Sequence, residues 1–301
     1  MPVFSPYAAL LSELPISEHV ATVLGSETHY WVYGPDDAPL TIVIAHGYRG
    51  EHHGLEPVIA QFRGVRFIGA DMPGFGESGE LDAGHSIDSY ARWLAEFMRQ
   101  TKTEDAVLIG HSFGSIISSY AIAHDLVNPP RLVLINPIAA PALEGPSAFL
   151  TRATMAFYRL ALKVPERLGY WQLSNWALIR GMSVKLAVTR DKALRRFIHD
   201  QHHTYFGRFA SRQSVVDGFD ASVSYTIRDF ADRITMPTIL IGAEKDPITA
   251  VSHLHALDAM LPNSTLHVIP EVGHLIHYEV PRVAAQLILD FVGEGSLADE
   301  A

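Results

Sequence analysis

Cysteine is absent from the 301 residues. Disulfides, thiolate metal sites and a cysteine nucleophile are excluded with it. Long apolar runs are missing too: none approaches the about 18 residues that a membrane span needs. Yet 48% of the residues are hydrophobic, enough for a sizeable core. The opening stretch MPVFSPYAALLSELP lacks the basic start of a secretory signal, so a cytoplasmic location is the simplest expectation. Positive charge is in short supply. Lys and Arg number 23 against 33 Asp and Glu, a formal net charge of −10, which argues against general nucleic-acid binding. No phosphate-binding glycine loop or dinucleotide fingerprint is present. PGFGES (73–78) lacks the lysine or third glycine that either motif needs. No cofactor is implied, and no internal repeat is apparent.

What is there begins with short, β-branched, apolar runs: LTIVIAH (40–46), VRFIGA (65–70), DAVLIG (105–110), RLVLIN (131–136), PTILIG (237–242) and STLHVIP (264–270). Strands buried on both faces of a parallel sheet read this way. Between them, SIDSYARWLAEFMRQ (86–100), AVSHLHALDAML (250–261) and PRVAAQLILDFV (281–292) have helical apolar spacing. HVATVLG (19–25) and THYWVYG (28–34) read as an antiparallel pair. The alternation predicts a mostly parallel, doubly wound α/β sheet.

The alternation stops after INPIAAP, and strands resume at Pro237. The segment between is helical in pattern and too long for a bare loop. It predicts a helical cap at 139–231, inserted into a core of 1–138 and 232–301. Residues 141–225 carry a charge balance of +6, the remainder −16. Solvated helix faces account for most of Arg152, Arg159, Arg180, Arg195 and Arg196; an anionic substrate or membrane surface is the alternative. Phe149, Phe157, Tyr158, Tyr170, Trp171 and Trp176 are expected to pack the cap onto the core, some of them lining an apolar acyl pocket. The tail GEGSLADEA is expected to fray.

The chemistry centres on LIGHSFGS (108–115). Gly110-His111-Ser112-Phe113-Gly114 is a Gly-x-Ser-x-Gly motif between a strand and a helix, the context that lifts a serine hydroxyl out of a sheet. A serine nucleophile needs a base, and the base needs a carboxylate to fix its tautomer. His274, in the loop EVGHLIH, is the candidate base. His277 is its rival, read as a surface or cap residue. Asp246 in GAEKDP is the candidate acid, with Glu244 the alternative. Ser112, Asp246 and His274 all follow strands, where groups gather in open α/β sheets. The loop after LTIVIAH offers the Tyr48 N–H, beside Gly47, as one oxyanion donor, with the Phe113 N–H as the second. His46 reads as a buried structural imidazole. His52 or His53 are candidates for touching substrate. His199, His202 and His203 have helical spacing, with Asp200 nearby, but lack a fourth ligand at fitting spacing, so no metal site is expected.

HGYRG (46–50), DMPGFGES (71–78), GHSFGS (110–115), GAEKDP (242–247) and VGH (272–274) together resemble the α/β-hydrolase family with a helical cap. The resemblance spans about residues 19–293, the cap matching only in position. It implies a Ser112–Asp246–His274 triad, and a structural turn at Asp71–Ser78. Relatives that open epoxides or remove halide carry aspartate at the elbow, so Ser112 argues against both. Carboxylic ester hydrolysis of a small molecule is the expected activity. Acyl transfer, carbon–carbon bond hydrolysis and cofactor-free haloperoxidation use the same triad. A non-catalytic binding protein on this fold is the other alternative.

Overall fold

The computed structural model describes residues 3, 5–143 and 148–299. Eight strands form one sheet: β1 (Ile16–Val23), β2 (Ser26–Tyr33), β3 (Leu40–Ala45), β4 (Val65–Ala70), β5 (Val107–His111), β6 (Leu132–Ile135), β7 (Thr238–Ala243) and β8 (Ser264–Ile269). Their order is β1-β2-β4-β3-β5-β6-β7-β8. The first two pairings are antiparallel and the rest parallel. Every expected strand is present. β3, β5, β6 and β7 are buried almost throughout, which is why their sequences are apolar without alternation.

Helices cover both faces. On one lie α1 (Ile87–Gln100), α2 (Phe113–Ala123) and, further along the chain, a helix at Val251–Asp258, packed in one core cluster. On the other lie residues 55–62 and the helix Pro281–Val292. The Ser86 hydroxyl caps α1 by accepting the Ser89 N–H. Proline at the first turn and Gly293 in left-handed conformation bound the last helix.

Between β6 and β7 run α3 (Ala148–Lys163), α4 (Glu166–Leu173), α5 (Trp176–Leu186), α6 (Lys192–Tyr205) and α7 (Arg212–Ser224). They occupy the stretch read as the cap, of which residues 144–147 lie outside the described residues. Among the described residues no helix is long and apolar enough to cross a membrane. The tail differs from expectation. Ser296–Leu297 pairs antiparallel with Phe62–Arg63, and Ala298 is buried and donates its N–H to the Gln61 carbonyl. A local pattern of small and charged residues did not reveal these distant acceptors. Glu300 and Ala301 lie outside the described residues.

The topology selects where a site forms. From β3 the chain moves to β4 on one side, then crosses back to β5 on the other. That reversal opens a crevice at the carboxyl ends of β3 and β5. Parallel pairing sets Ala45 beside Gly110, so residues 46–48 and 112–113 leave the sheet side by side. Close approach of α2 to β3 makes the second motif glycine obligatory. A Cβ at Gly114 would stand 2.0 Å from the Ala45 carbonyl oxygen, and one at Gly110 would stand 2.8 Å from the Gly114 carbonyl oxygen. Gly114→Ala is therefore expected to destabilise the fold by about 3 kcal/mol or more, the upper range for forced overpacking. A urea titration with unchanged midpoint would contradict this account of the elbow.

Candidate functional site

Ser112 sits at φ 51°, ψ −116°, a conformation costly for a residue bearing a Cβ. The turn holds it there: its N–H donates to the Ile135 carbonyl and its carbonyl accepts the Ser115 N–H. The Ser112 Oγ lies 2.8 Å from His274 Nε2. On the far side of the ring, His274 Nδ1 lies 2.7 Å from Asp246 Oδ2. An ionised Asp246 accepts from Nδ1–H, which leaves Nε2 free to accept from the serine hydroxyl. The three side chains come from the ends of β5, β7 and β8, and the structure brings them together as the sequence suggested.

Asp246 is almost completely buried. Burial alone would raise its carboxyl. The His274 imidazole, the Ile248 N–H and the Asn136 amide outweigh burial and hold it below the usual carboxylate range. Oδ1 accepts from the Ile248 and Thr249 N–H groups, and Oδ2 accepts from Asn136 Nδ2 at 3.0 Å. Asn136 also reaches the Gly273 carbonyl, tying β6 to both the acid loop and the histidine loop. Sequence reasoning missed it. An asparagine directly after a buried strand, here at φ 46°, was the available signal.

Glu244 turns away and accepts the Glu271 N–H. His277 is not a surface residue. It is buried in a helical turn at Ile276–Glu279, its ring 4.3 Å from that of His111. Leu275 and Tyr278, apolar and buried beside it, carry the turn inward. His46 is buried, with Nδ1 2.8 Å from the Gly47 carbonyl oxygen and Nε2 accepting the Met72 N–H. His52 and His53 do not line the cavity at Ser112. His52 binds Asp71 and stacks on Trp31; His53 binds Glu51 and stacks on Tyr205. His199 and His202 both place Nδ1 on the Ser183 hydroxyl, and His203 stacks on Trp176, so the three do not converge on one ligand point.

Burial, then the neighbouring His274 and His46, push the His111 imidazole down to about 3. Burial and three neighbouring imidazoles hold His277 well below its ordinary value. Both are neutral in the folded protein at pH 7. The unfolded chain takes up these protons first, so stability present above about pH 6.5 is lost as pH falls toward the folded values. The lowered carboxyls of Asp246 and Asp71 act in the same direction at lower pH. Calorimetry at pH 7.5 and 4.5 should show the melting temperature falling by about 5 °C or more; a flat profile would contradict neutral burial.

The loop at 46–50 stands beside the elbow. A Cβ at Gly47 would lie 3.3 Å from the Ser112 Cβ and 3.1 Å from His111 Nδ1, so any larger residue here would press on the elbow side chains. The Phe113 N–H begins α2 and has no intrahelical acceptor. The Tyr48 N–H is likewise uncommitted among the described residues. Both residues line the cavity at Ser112. Arg49, at φ 58° and buried, fastens this loop to the cap. Its guanidinium donates to the Leu173 carbonyl at 2.8 Å and, through Nε at 2.9 Å, to the Phe206 carbonyl. No local pattern distinguished it from a solvated arginine.

The cavity measures about 410 Å³. Its apolar wall includes Ile138, Leu150, Tyr158, Phe219 and Val223; its polar wall includes Glu51, His111, His202 and Tyr205. Of the six aromatics expected to pack at 149–176, Tyr158 lines the cavity, while Phe157 and Tyr170 pack against the core. Phe149, Trp171 and Trp176 are exposed, contrary to the expectation that the cap would bury them.

A doubly wound sheet, an inserted group of helices and a serine–histidine–aspartate contact at the strand ends define the class as an α/β hydrolase. The chain belongs to the alpha/beta hydrolase fold family, whose model matches residues 41–281. It is 24% identical over 277 residues to the uncharacterized hydrolase YugF of Bacillus subtilis (strain 168), covering 90% of this chain and 96% of that one. It is also 24% identical over 282 residues to a 2-hydroxy-6-oxononadienedioate/2-hydroxy-6-oxononatrienedioate hydrolase of Cupriavidus pinatubonensis (strain JMP 134 / LMG 1197), covering 90% and 89%. Among solved structures, the esterase EaEST of Exiguobacterium antarcticum superposes with a TM-score of 0.74 at 18% identity, covering 92% of this chain and all of that one.

Proposed function

We propose that the protein hydrolyses a carboxylic ester with an apolar acyl group, through an acyl-enzyme on Ser112. The observation that carries this reading is the chain of two hydrogen bonds from Ser112 Oγ through His274 to Asp246. As Oγ attacks the ester carbonyl, His274 Nε2 takes its proton, and Asp246 stabilises the imidazolium without being protonated. The Tyr48 and Phe113 N–H groups hold the oxyanion, each donor contributing about 3 kcal/mol at the transition state. His274 then protonates the departing alkoxide. A water deprotonated by His274 attacks the acyl-enzyme, and the acid leaves with Ser112 restored.

Carbon–carbon bond hydrolysis is the second reading, favoured by the Cupriavidus relative, whose name denotes a dicarboxylate substrate. The cavity lining counts against it here. Lys185 is the only lysine or arginine among the described lining residues, and Glu51 lies in the same wall. A dianion entering this space would meet one cation, one carboxylate and buried, neutral His111. Assaying a series of p-nitrophenyl esters beside a dienedioate substrate separates the two readings. Turnover of the esters, rising with acyl length to the size of the cavity, is expected. Turnover of the dioate alone would overturn the proposal.

A further inference from the structure

Helices of a cap ordinarily hide their apolar side chains, yet α5 (WALIRGMSVKL) buries only Ile179 and Ser183 of its eleven residues. Fifteen large hydrophobic side chains are exposed among the described residues, and eight of them lie on α3, α4 and α5. They include Phe149, Trp171 and Trp176, which are 81%, 62% and 65% exposed. On α4, Leu168 and Trp171 are three residues apart and so share a helix face. The same span, 148–186, carries six Lys and Arg against one acidic residue, in a chain whose net charge is −10. Among the described residues, only Arg159 of these six has a carboxylate partner, Asp220. Arg152, Lys163, Arg167 and Lys185 are exposed between the apolar residues.

We propose that α3, α4 and α5 dock the protein on the surface of an anionic lipid bilayer. Tryptophan, phenylalanine and leucine interleaved with arginine and lysine suit the boundary between acyl chains and charged headgroups. A second copy of the chain fits less well. Cap against cap sets two net charges of +5 face to face. Cap against the acidic core is a heterologous contact, which builds rings or open filaments and not the common two-fold dimer. The docked face also adjoins the cavity, since α3 supplies Leu150 and Thr154 to its wall and α5 supplies Met182 and Leu186. An ester resident in the bilayer therefore reaches Ser112 along apolar lining. Docking stands independently of whether the protein hydrolyses esters.

The test is flotation of the full-length protein with two kinds of vesicle, phosphatidylcholine alone and phosphatidylcholine with phosphatidylglycerol in equal parts. The protein should float with the mixed vesicles at low salt, bind them about ten-fold or more tightly than the neutral ones, and be released by high salt. Lys163→Glu with Arg167→Glu removes two cations and adds two anions, and should weaken binding about 25-fold or more, near five-fold for each cation lost. Trp171→Ala with Trp176→Ala should also release the protein. All four side chains are exposed and, among the described residues, only Trp176 gives up a ring contact, its stack on His203, so melting temperatures should change little. Equal partition to both vesicles, or no flotation with either, overturns the proposal. So does a dimer, detected by light scattering, that the tryptophan variant dissociates.

Discussion

Replacing Ser112 with alanine is expected to lower kcat for ester hydrolysis by about 10⁵-fold or more, the scale seen when one member of a cooperating triad is removed. The hydroxyl is the only group proposed to form a covalent bond to the acyl carbon. Without it, His274 Nε2 faces an empty position where Oγ stood at 2.8 Å, and only a water poorly placed for attack can respond. The Tyr48 and Phe113 N–H groups would still polarise the carbonyl, so residual turnover above the uncatalysed rate is expected rather than zero. Stability should be unchanged or slightly raised, because the positive φ is set by the backbone of the turn and not by the hydroxyl. Steady-state assay of the pure variant beside the parent decides the matter. Retained turnover would remove Ser112 from the mechanism.

Asp246→Asn is expected to reduce kcat about 10⁴-fold, and it tests the tautomer argument. Every neighbour of the Asp246 carboxylate is a donor: His274 Nδ1 and Asn136 Nδ2 at Oδ2, and the Ile248 and Thr249 N–H groups at Oδ1. An asparagine must aim its own NH₂ at one of these sets. Facing His274, it forces Nδ1 to accept, moves the ring proton to Nε2 and blocks proton transfer from Ser112. Facing the loop, it opposes two N–H groups. Either choice leaves a buried donor unpaired at a cost of about 1–3 kcal/mol, so the variant should melt earlier as well as react slowly. Glu244 offers no rescue, being committed to the Glu271 N–H. A variant with parental kcat would show that His274 needs no carboxylate.

What the sequence made legible follows from what was local. Strands β3, β5, β6 and β7 read correctly because burial on both faces leaves a short, β-branched apolar run. Ser112 was legible because the elbow demands glycines at 110 and 114, and the structure shows both Cβ positions blocked by backbone. His274 and Asp246 were found from their places after successive strands. The remainder depended on partners distant along the chain. Asn136 works through residues 246 and 273, and Arg49 through carbonyls at 173 and 206. His277 looked solvated because nothing local told of His111 against it. Trp171 and Trp176 read as packing residues because apolar side chains at helical spacing ordinarily pack a helix onto its domain, yet both stand exposed.

The central claim is that Ser112 is activated as a nucleophile by His274. Reaction of the folded protein with a fluorophosphonate, followed by intact-mass measurement and peptide mapping, tests it most directly. The account predicts a single adduct on Ser112, absent from Ser112→Ala and formed far more slowly in His274→Ala. An unlabelled parent protein, or an adduct at another residue that survives in Ser112→Ala, would contradict it.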